Sequence, residues 1–199
     1  MHLLLLTLAL TAPLNRSVGL VEDGFVNASG VLLDAKHVLT AAHAMAPTTK
    51  IMCGTDIVDV RIIKISMVID LALLELATPC TAVDTTALAA GQPEEGAALI
   101  IQGHPGGGPT RKTLHGYEAP YDDITTPTSV HHSMIMDARI HGGSSGGPVL
   151  NKHGELVGIV QGKLCLGRNL PDRQPPTCFG TAILLDTIKA FLVPVSEPG

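Results

Sequence analysis

Apolar residues along this chain come in short runs broken by turn formers, and hardly anywhere at the 3.6-residue spacing of an amphipathic helix. Runs rich in Val, Ile and Leu predict strands at Ser17–Val21, Val31–Leu33, Val38–Thr40, Ile51–Cys53, Val58–Ile65, Leu71–Leu76, Ala98–Gln102, Ser133–Asp137, Pro148–Leu150, Leu156–Gln161 and Thr181–Leu185. Asn151-Lys152-His153-Gly154 joins two of these runs as a hairpin connection does. The best helix candidate is Asp186–Val193, with Asp186 available as N-cap and Ile188, Phe191 and Leu192 on one face. Ala82–Gly96 carries Thr, Ala, Gly, Pro and two Glu without a β pattern, and reads as a linker between two β units. The pattern therefore predicts a mostly β chain, with 21 Gly and 14 Pro to supply the turns.

Composition narrows the class. At 45% hydrophobic and 16% charged, against about 25% charged in ordinary domains, the chain is too apolar to be disordered. Thirteen Lys plus Arg against 18 Asp plus Glu leave a net charge of −5 with no basic run, which removes nucleic acid as a default partner. The apolar run from Leu3 to Ala12 has the length of a signal-peptide core and is too short to span a bilayer. It assigns residues 1–16 to an export signal and the rest to a soluble, secreted or periplasmic protein. The competing reading is a first core strand, since Met1-His2 lacks a basic residue. No later segment is long enough for stable membrane insertion. Cys53, Cys80, Cys165 and Cys178 have no C-x-x-C spacing, which argues against a zinc ribbon or redox motif. Their even number suits disulfides in an exported protein, with buried thiols as the alternative. No metal or cofactor is expected.

Three patterns carry chemistry. Val38-Leu39-Thr40-Ala41-Ala42-His43 is a β run ending in small residues and a histidine, the setting a rigidly placed base needs. In Val68–Leu76 an acid, Asp70, stands between apolar runs, where an unpaired carboxylate would be expensive to bury; it calls for a histidine or a cap. Gly142-Gly143-Ser144-Ser145-Gly146-Gly147-Pro148-Val149 sets glycines around a serine, so that successive backbone N–H groups can point to the side of the hydroxyl. Acyl transfer requires such donors, aimed in advance at the charge that develops.

Together these residues resemble the trypsin-like (chymotrypsin-fold) serine peptidases, in that superfamily's chain order of histidine, aspartate and serine. Thr40–His43 is similar to its T/S-A-A-H motif, Asp70–Leu74 to D-[IL]-A-L-[LI], and Gly143–Pro148 to G-[DN]-S-G-G-P. The fit is nearest to HtrA-type and glutamyl-endopeptidase-type bacterial branches. Ala28-Ser29-Gly30-Val31, Gly103-His104-Pro105-Gly106-Gly107, Asp137-Ala138-Arg139-Ile140 and Gly154–Ile159 resemble their further signatures. The resemblance implies two packed six-stranded antiparallel β-barrels with a short C-terminal helix and an active site between the barrels. Residues 17–85 would form the first barrel, 86–97 the linker, and 98–199 the second barrel plus helix. It further implies a His43–Asp70–Ser145 triad that hydrolyses peptide bonds through an acyl-enzyme, with Gly143 and Ser145 N–H groups as the oxyanion hole. The partner is then a protein or peptide substrate; the oligomeric state is left open.

The departures matter as much. Ser144 stands where trypsin has an aspartate that pairs with a new N-terminal amine, so activation by cleavage is not expected. The resemblance places the base of the specificity pocket at Arg139, beside Ile140 and His141, and its walls at Val160, Gln161, Gly162 and Gly180-Thr181. Without a carboxylate there, cleavage after Lys or Arg is excluded. Ile140 and Val160 favour a small apolar pocket; the alternative turns Arg139 or His141 inward to accept Glu or Asp. A catalytically idle binding module is the other class to weigh. An α/β-hydrolase, which the G-x-S-x-G string formally allows, is opposed by the residue order and the β-rich pattern. Cys165 and Cys178, flanking the loop beyond the cleft strand, are expected to pair, and Cys53 with Cys80 as a second bridge. The run Gly107–Thr113, with its phosphate-loop-like Lys112-Thr113, is read as a surface turn because Arg111 stands where a glycine is needed.

Overall fold

The structure is a computed structural model, and it describes residues 15–109, 112–118, 133–166 and 177–193. The proposed export signal and the loop between Cys165 and Cys178 lie almost wholly outside the described residues. Among the described residues, twelve strands form two closed six-stranded barrels. The first holds β1 (Ser17–Glu22), β2 (Phe25–Leu32), β3 (His37–Ala41), β4 (Lys50–Cys53), β5 (Asp56–Ser66) and β6 (Leu71–Leu76), in the order β1-β2-β3-β6-β5-β4. The second holds β7 (Ala98–Gly103), β8 (Lys112–Glu118), β9 (Ser133–Asp137), β10 (Pro148–Leu150), β11 (Leu156–Leu166) and β12 (Thr177–Leu184), in the order β10-β11-β12-β9-β8-β7. A helix, α1 (Leu185–Leu192), follows. Neighbouring strands pair antiparallel throughout. Closure leaves neither sheet with an unpaired edge.

Apolar runs and alternation have different physical origins here. Strands β2, β3 and β6 bury both faces: Leu32, Val38 and Leu74 fill the first barrel, while Val31, Leu39 and Leu71 point out of it. The outward residues meet Leu150, Leu156, Ile159 and Ile183 of the second barrel and Ile188 and Phe191 of α1 in one buried cluster. Strands buried on two sides read as continuous apolar runs. β5, by contrast, exposes much of one face to water and alternates.

Several boundaries differ from the sequence-based expectation. β8 was not expected as a strand: only Gly116 is buried in it, so it lacks the apolar alternation that marks a strand. Lys112-Thr113 accordingly opens β8 and is not part of a turn. β2 begins at Phe25 and not at Val31; polar Asn27 and Ser29 hide its first half from the hydrophobic pattern. The helix starts one residue early, with Leu184 at the N-cap and Asp186 in the first turn, where a carboxylate still complements the helix dipole. Capping comes instead from the linker: the Gln92 carboxamide, with its oxygen toward the helix, accepts from Leu185 N–H at 2.9 Å and Asp186 N–H at 3.1 Å. The linker is also pinned between the barrels. Thr86 N–H donates to Leu32 O at 2.8 Å, and Leu156 N–H to Ala87 O at 2.8 Å.

Disulfides join Cys53 to Cys80 and Cys165 to Cys178. The first closes a loop of 27 residues' separation, worth about 3–4 kcal/mol in the chain-entropy model. Lys64 of β5 reaches across to the last turn of α1: its Nζ donates to Phe191 O at 2.6 Å and lies 4.8 Å from the Phe191 ring centroid. A cation there meets the negative end of the helix dipole. Lys64→Met, which keeps the stem and removes the charge, is expected to lower unfolding stability by about 1–2 kcal/mol, measured by urea titration. An unchanged midpoint would show that this bridge does not help to dock the barrels.

Candidate active site

β3 ends in Ala41, and a 3-10 turn over Ala42–Ala44 carries His43 into the cleft. Small residues are required there because Ala41 and Ala42 are buried beneath the turn. Opposite, Asp70 precedes β6 with φ +60, a left-handed conformation that Asp tolerates better than most residues. The turn brings the main chain and the side chain of the aspartate to successive residues, Ala42 and His43. Ala42 N–H donates to Asp70 O at 3.0 Å and His43 N–H to Asp70 Oδ1 at 2.8 Å. His43 Nδ1 meets Oδ1 at 3.0 Å and Oδ2 at 2.8 Å. The buried carboxylate is thus satisfied by the histidine, as burial demands. The contact fixes the tautomer with Nδ1 protonated, leaving Nε2 as an acceptor. The hydrogen bond to Asp70 raises the His43 pKa above its ordinary value, against the opposing effect of partial burial.

Ser145 comes from the other barrel, on the loop between β9 and β10. Gly143 and Gly146 have φ +88 and +80, and a Cβ at either would collide with backbone, of His104 and Ser29 respectively. Four consecutive carbonyls of the loop have partners. Gly142 O accepts from Gly106 N–H at 2.6 Å, Gly143 O from Ser29 Oγ at 2.7 Å, Ser144 O from Gly147 N–H at 3.0 Å and Ser145 O from Ser29 N–H at 2.8 Å. In a trans peptide the N–H points opposite to the C=O. The bonds to Gly142 O and Ser144 O therefore aim the N–H groups of Gly143 and Ser145 the other way. Neither donates to a protein acceptor among the described residues. The intervening Ser144 N–H is taken up by His141 O at 3.1 Å, and Gly146 N–H by Val160 O at 2.7 Å. Two unpaired donors next to a hydroxyl form an anion-binding concavity.

Ser145 Oγ donates to Gln161 O at 3.3 Å, and among the described residues no hydrogen bond joins it to His43. Catalytic hydrogen bonds are often loose before substrate arrives. The residues assigned to the specificity pocket divide into two groups. Arg139 and His141 are exposed, whereas Ile140 and Val160 are buried within the second barrel's core cluster. A Cβ on Gly180 would lie 2.6 Å from Ile140 Cγ1, so Ile140 fills the space beside that glycine; nothing stands within 4 Å of a Cβ on Gly162. The Gln161 side chain is held back by Ser133 Oγ at 2.8 Å. Ser144 is buried, and its Oγ has no hydrogen-bond partner among the described residues. In the sequence Ser29, His104 and Gly106 stand only as members of family-like strings and nothing marks the Gln161 carbonyl, because backbone partners leave no residue-type signal. Among the described residues, no cluster of His, Cys, Asp and Glu could hold a metal.

A family model described as the trypsin-like peptidase domain matches residues 28–159. No curated protein matches the chain. Among solved structures, it is similar to Rv3671c from M. tuberculosis H37Rv, in the inactive form of a serine-to-alanine mutant. The TM-score is 0.71 at 18% identity, over 92% of this chain and 89% of that one. The active form of the Rv3671c protease gives a TM-score of 0.71 at 17% identity, over 93% and 83%. At such identities the likeness establishes the fold.

The His43–Asp70 contact has a measurable consequence. A folded-state pKa raised above the unfolded value makes a contribution to stability that is complete below the unfolded pKa, about 6.5, and is lost as pH rises through the folded one. NMR titration of the His43 ring is expected to give a midpoint above about 6.5, and Asp70→Asn to lower it. A wild-type midpoint at or below the ordinary value would contradict the contact.

Proposed function

The chain belongs to the trypsin-like peptidase family, and from that premise we propose that it is a serine endopeptidase using His43, Asp70 and Ser145. One observation supports the reading: His43, held by a buried carboxylate at Nδ1, follows the Thr40–Ala41 segment against which the serine loop packs at Gly146, and in that loop the N–H groups of Gly143 and Ser145 have no protein acceptor among the described residues. In the reaction Ser145 Oγ leaves Gln161 O, donates toward His43 Nε2 and attacks the scissile carbonyl as the proton passes to the imidazole. Asp70 keeps the ring in the correct tautomer and stabilises the imidazolium. The developing oxyanion accepts from Gly143 and Ser145 N–H, each such donor being worth about 2.7–4 kcal/mol. His43 then returns the proton to the leaving amine, and water releases the acyl group by the same steps in reverse.

Substrate preference follows from what fills the pocket. Ile140 pressed against Gly180 and an exposed Arg139 support a small apolar residue before the scissile bond. An acidic residue there would need Arg139 or His141 to turn inward, at the loss of their solvation. Export is supported by the apolar N-terminal run and by two disulfides, which persist in oxidising compartments. The described residues contain no helix long and apolar enough to cross a membrane.

Ser145→Ala is expected to abolish peptide hydrolysis and fluorophosphonate labelling with the fold intact, and His43→Ala to do nearly the same. Because the groups act as a unit, the double variant should be no worse than either single one; a much larger combined loss would sink the triad. Failure of the wild-type protein to label would point to a scaffold that binds without catalysis. Cleavage of a peptide library should centre on small apolar residues, whereas dominant cleavage after Glu would select the inward Arg139 or His141, and cleavage after Lys or Arg would refute the pocket.

A further inference from the structure

Ser29 lies on β2 of the first barrel, with no part of the residue exposed. Two of its groups nevertheless make three bonds to the loops of the second barrel around Ser145. Its N–H donates to Ser145 O at 2.8 Å, and its Oγ donates to Gly143 O at 2.7 Å while accepting from His104 N–H at 2.9 Å. Its own carbonyl accepts from Thr40 Oγ1 at 2.7 Å, which ties it to the strand that leads into His43. Nothing in a peptidase mechanism requires a hydroxyl here. The backbone bond to Ser145 would exist with any residue, but the bond to Gly143 O needs the side chain.

We propose that Ser29 is a positioning residue for the oxyanion loop, setting the orientation of Gly143 from the opposite barrel. Gly143 has peptide planes on both sides, and each must be held if its N–H is to stay aimed into the cleft. Gly106 N–H fixes the preceding plane through Gly142 O, and Ser29 Oγ fixes the following one through Gly143 O. Glycine at φ +88 has little intrinsic preference to resist rotation, so these two bonds define it. The same hydroxyl accepts from His104 N–H, two residues before Gly106, and so couples the two supports. Removing it takes from Gly143 O, half-buried, and from the buried His104 N–H the bond each makes to this hydroxyl, and such groups recover partners by moving. The expected movement is of Gly143, and it weakens the oxyanion site without altering where a peptide lies in its ground state.

The inference rests on Ser145 being the nucleophile, and the test separates the two. Ser29→Ala and Ser29→Cys, the latter similar in shape but a weak donor, are compared with wild type on the best-cleaved library peptide as its anilide. Rates are taken per active site titrated with a fluorophosphonate, so that loss of folded protein does not enter. Expected is a fall in kcat of about tenfold or more for Ser29→Ala, below the ~10²–10³ of deleting a donor outright, with KM within about twofold. The inhibition constant of the matching peptide aldehyde, whose adduct places an oxyanion in the site, should weaken by the factor lost from kcat/KM. Ser29→Cys should fall between the two, and it decides the matter alone if Ser29→Ala does not fold. Wild-type kcat per site and unchanged aldehyde affinity in every folded Ser29 variant, with Ser145→Ala inactive, would overturn the positioning role and leave the triad standing. Activity retained by Ser145→Ala would overturn both.

Discussion

A peptide unit aims its donor and its acceptor in opposite directions, and the serine loop of this protein is organised by that constraint. Its carbonyls are bonded to Gly106, Ser29 and Gly147, on the side away from the cleft. What remains on the cleft side are the N–H groups of Gly143 and Ser145 and the hydroxyl of Ser145. Backbone donors are almost always paired, with protein or with water, so two half-buried donors without a protein acceptor beside a hydroxyl mark a place where a ligand or water completes the set. The arrangement is in this sense a deficit left by the pairing of these carbonyls, set by the fold itself. That is the condition under which electrostatic stabilisation costs no reorganisation during the reaction.

The deficit has value only if the histidine is held across from it, and that depends on how the barrels dock. His43 and Asp70 belong to the first barrel and Ser145 to the second. The interface is an apolar cluster built from the outward faces of β2, β3 and β6 against β10, β11, β12 and α1. Apolar contact resists separation but does not fix register; the polar bonds across the interface do that. Ser29 sits where the two functions meet, one residue from Ala28 in the first barrel's core and two from Val31 in the cluster, with its polar groups on the second barrel's loops. Lys64 at the end of α1 and the pinned linker hold the far side.

How much of this was legible in the sequence depended on the kind of signal each residue carries. The histidine, aspartate and serine patterns could be found because special chemistry restricts neighbours: small residues under His43, glycines where Gly143 and Gly146 meet backbone. Two-sided strands such as β3 and β6 showed as apolar runs, and α1 as a one-sided stripe. β8 could not be seen, since a barrel strand whose side chains are mostly exposed or half-buried is maintained by its neighbours' hydrogen bonds and not by its own apolar pattern. The helix cap was missed because Gln92 supplies it from another segment, which no local rule anticipates. At the strand after the serine loop the Val160 side chain is wholly buried, while the carbonyl of the neighbouring Gln161 accepts from Ser145 Oγ. A bulge between Val160 and Gly162 shifts the register at that point, and alternation cannot be carried through a bulge.

The most direct measurement is a crystal structure of the protein with a fluorophosphonate bound covalently to Ser145 Oγ. A preformed oxyanion site is expected to hold the phosphoryl oxygen about 2.7–3.1 Å from both Gly143 N and Ser145 N, with Gly142 O still bonded to Gly106 and Gly143 O to Ser29. A phosphoryl oxygen turned to solvent, or a Gly142–Gly143 peptide that must rotate to reach it, would contradict a site set in advance by its carbonyl anchors.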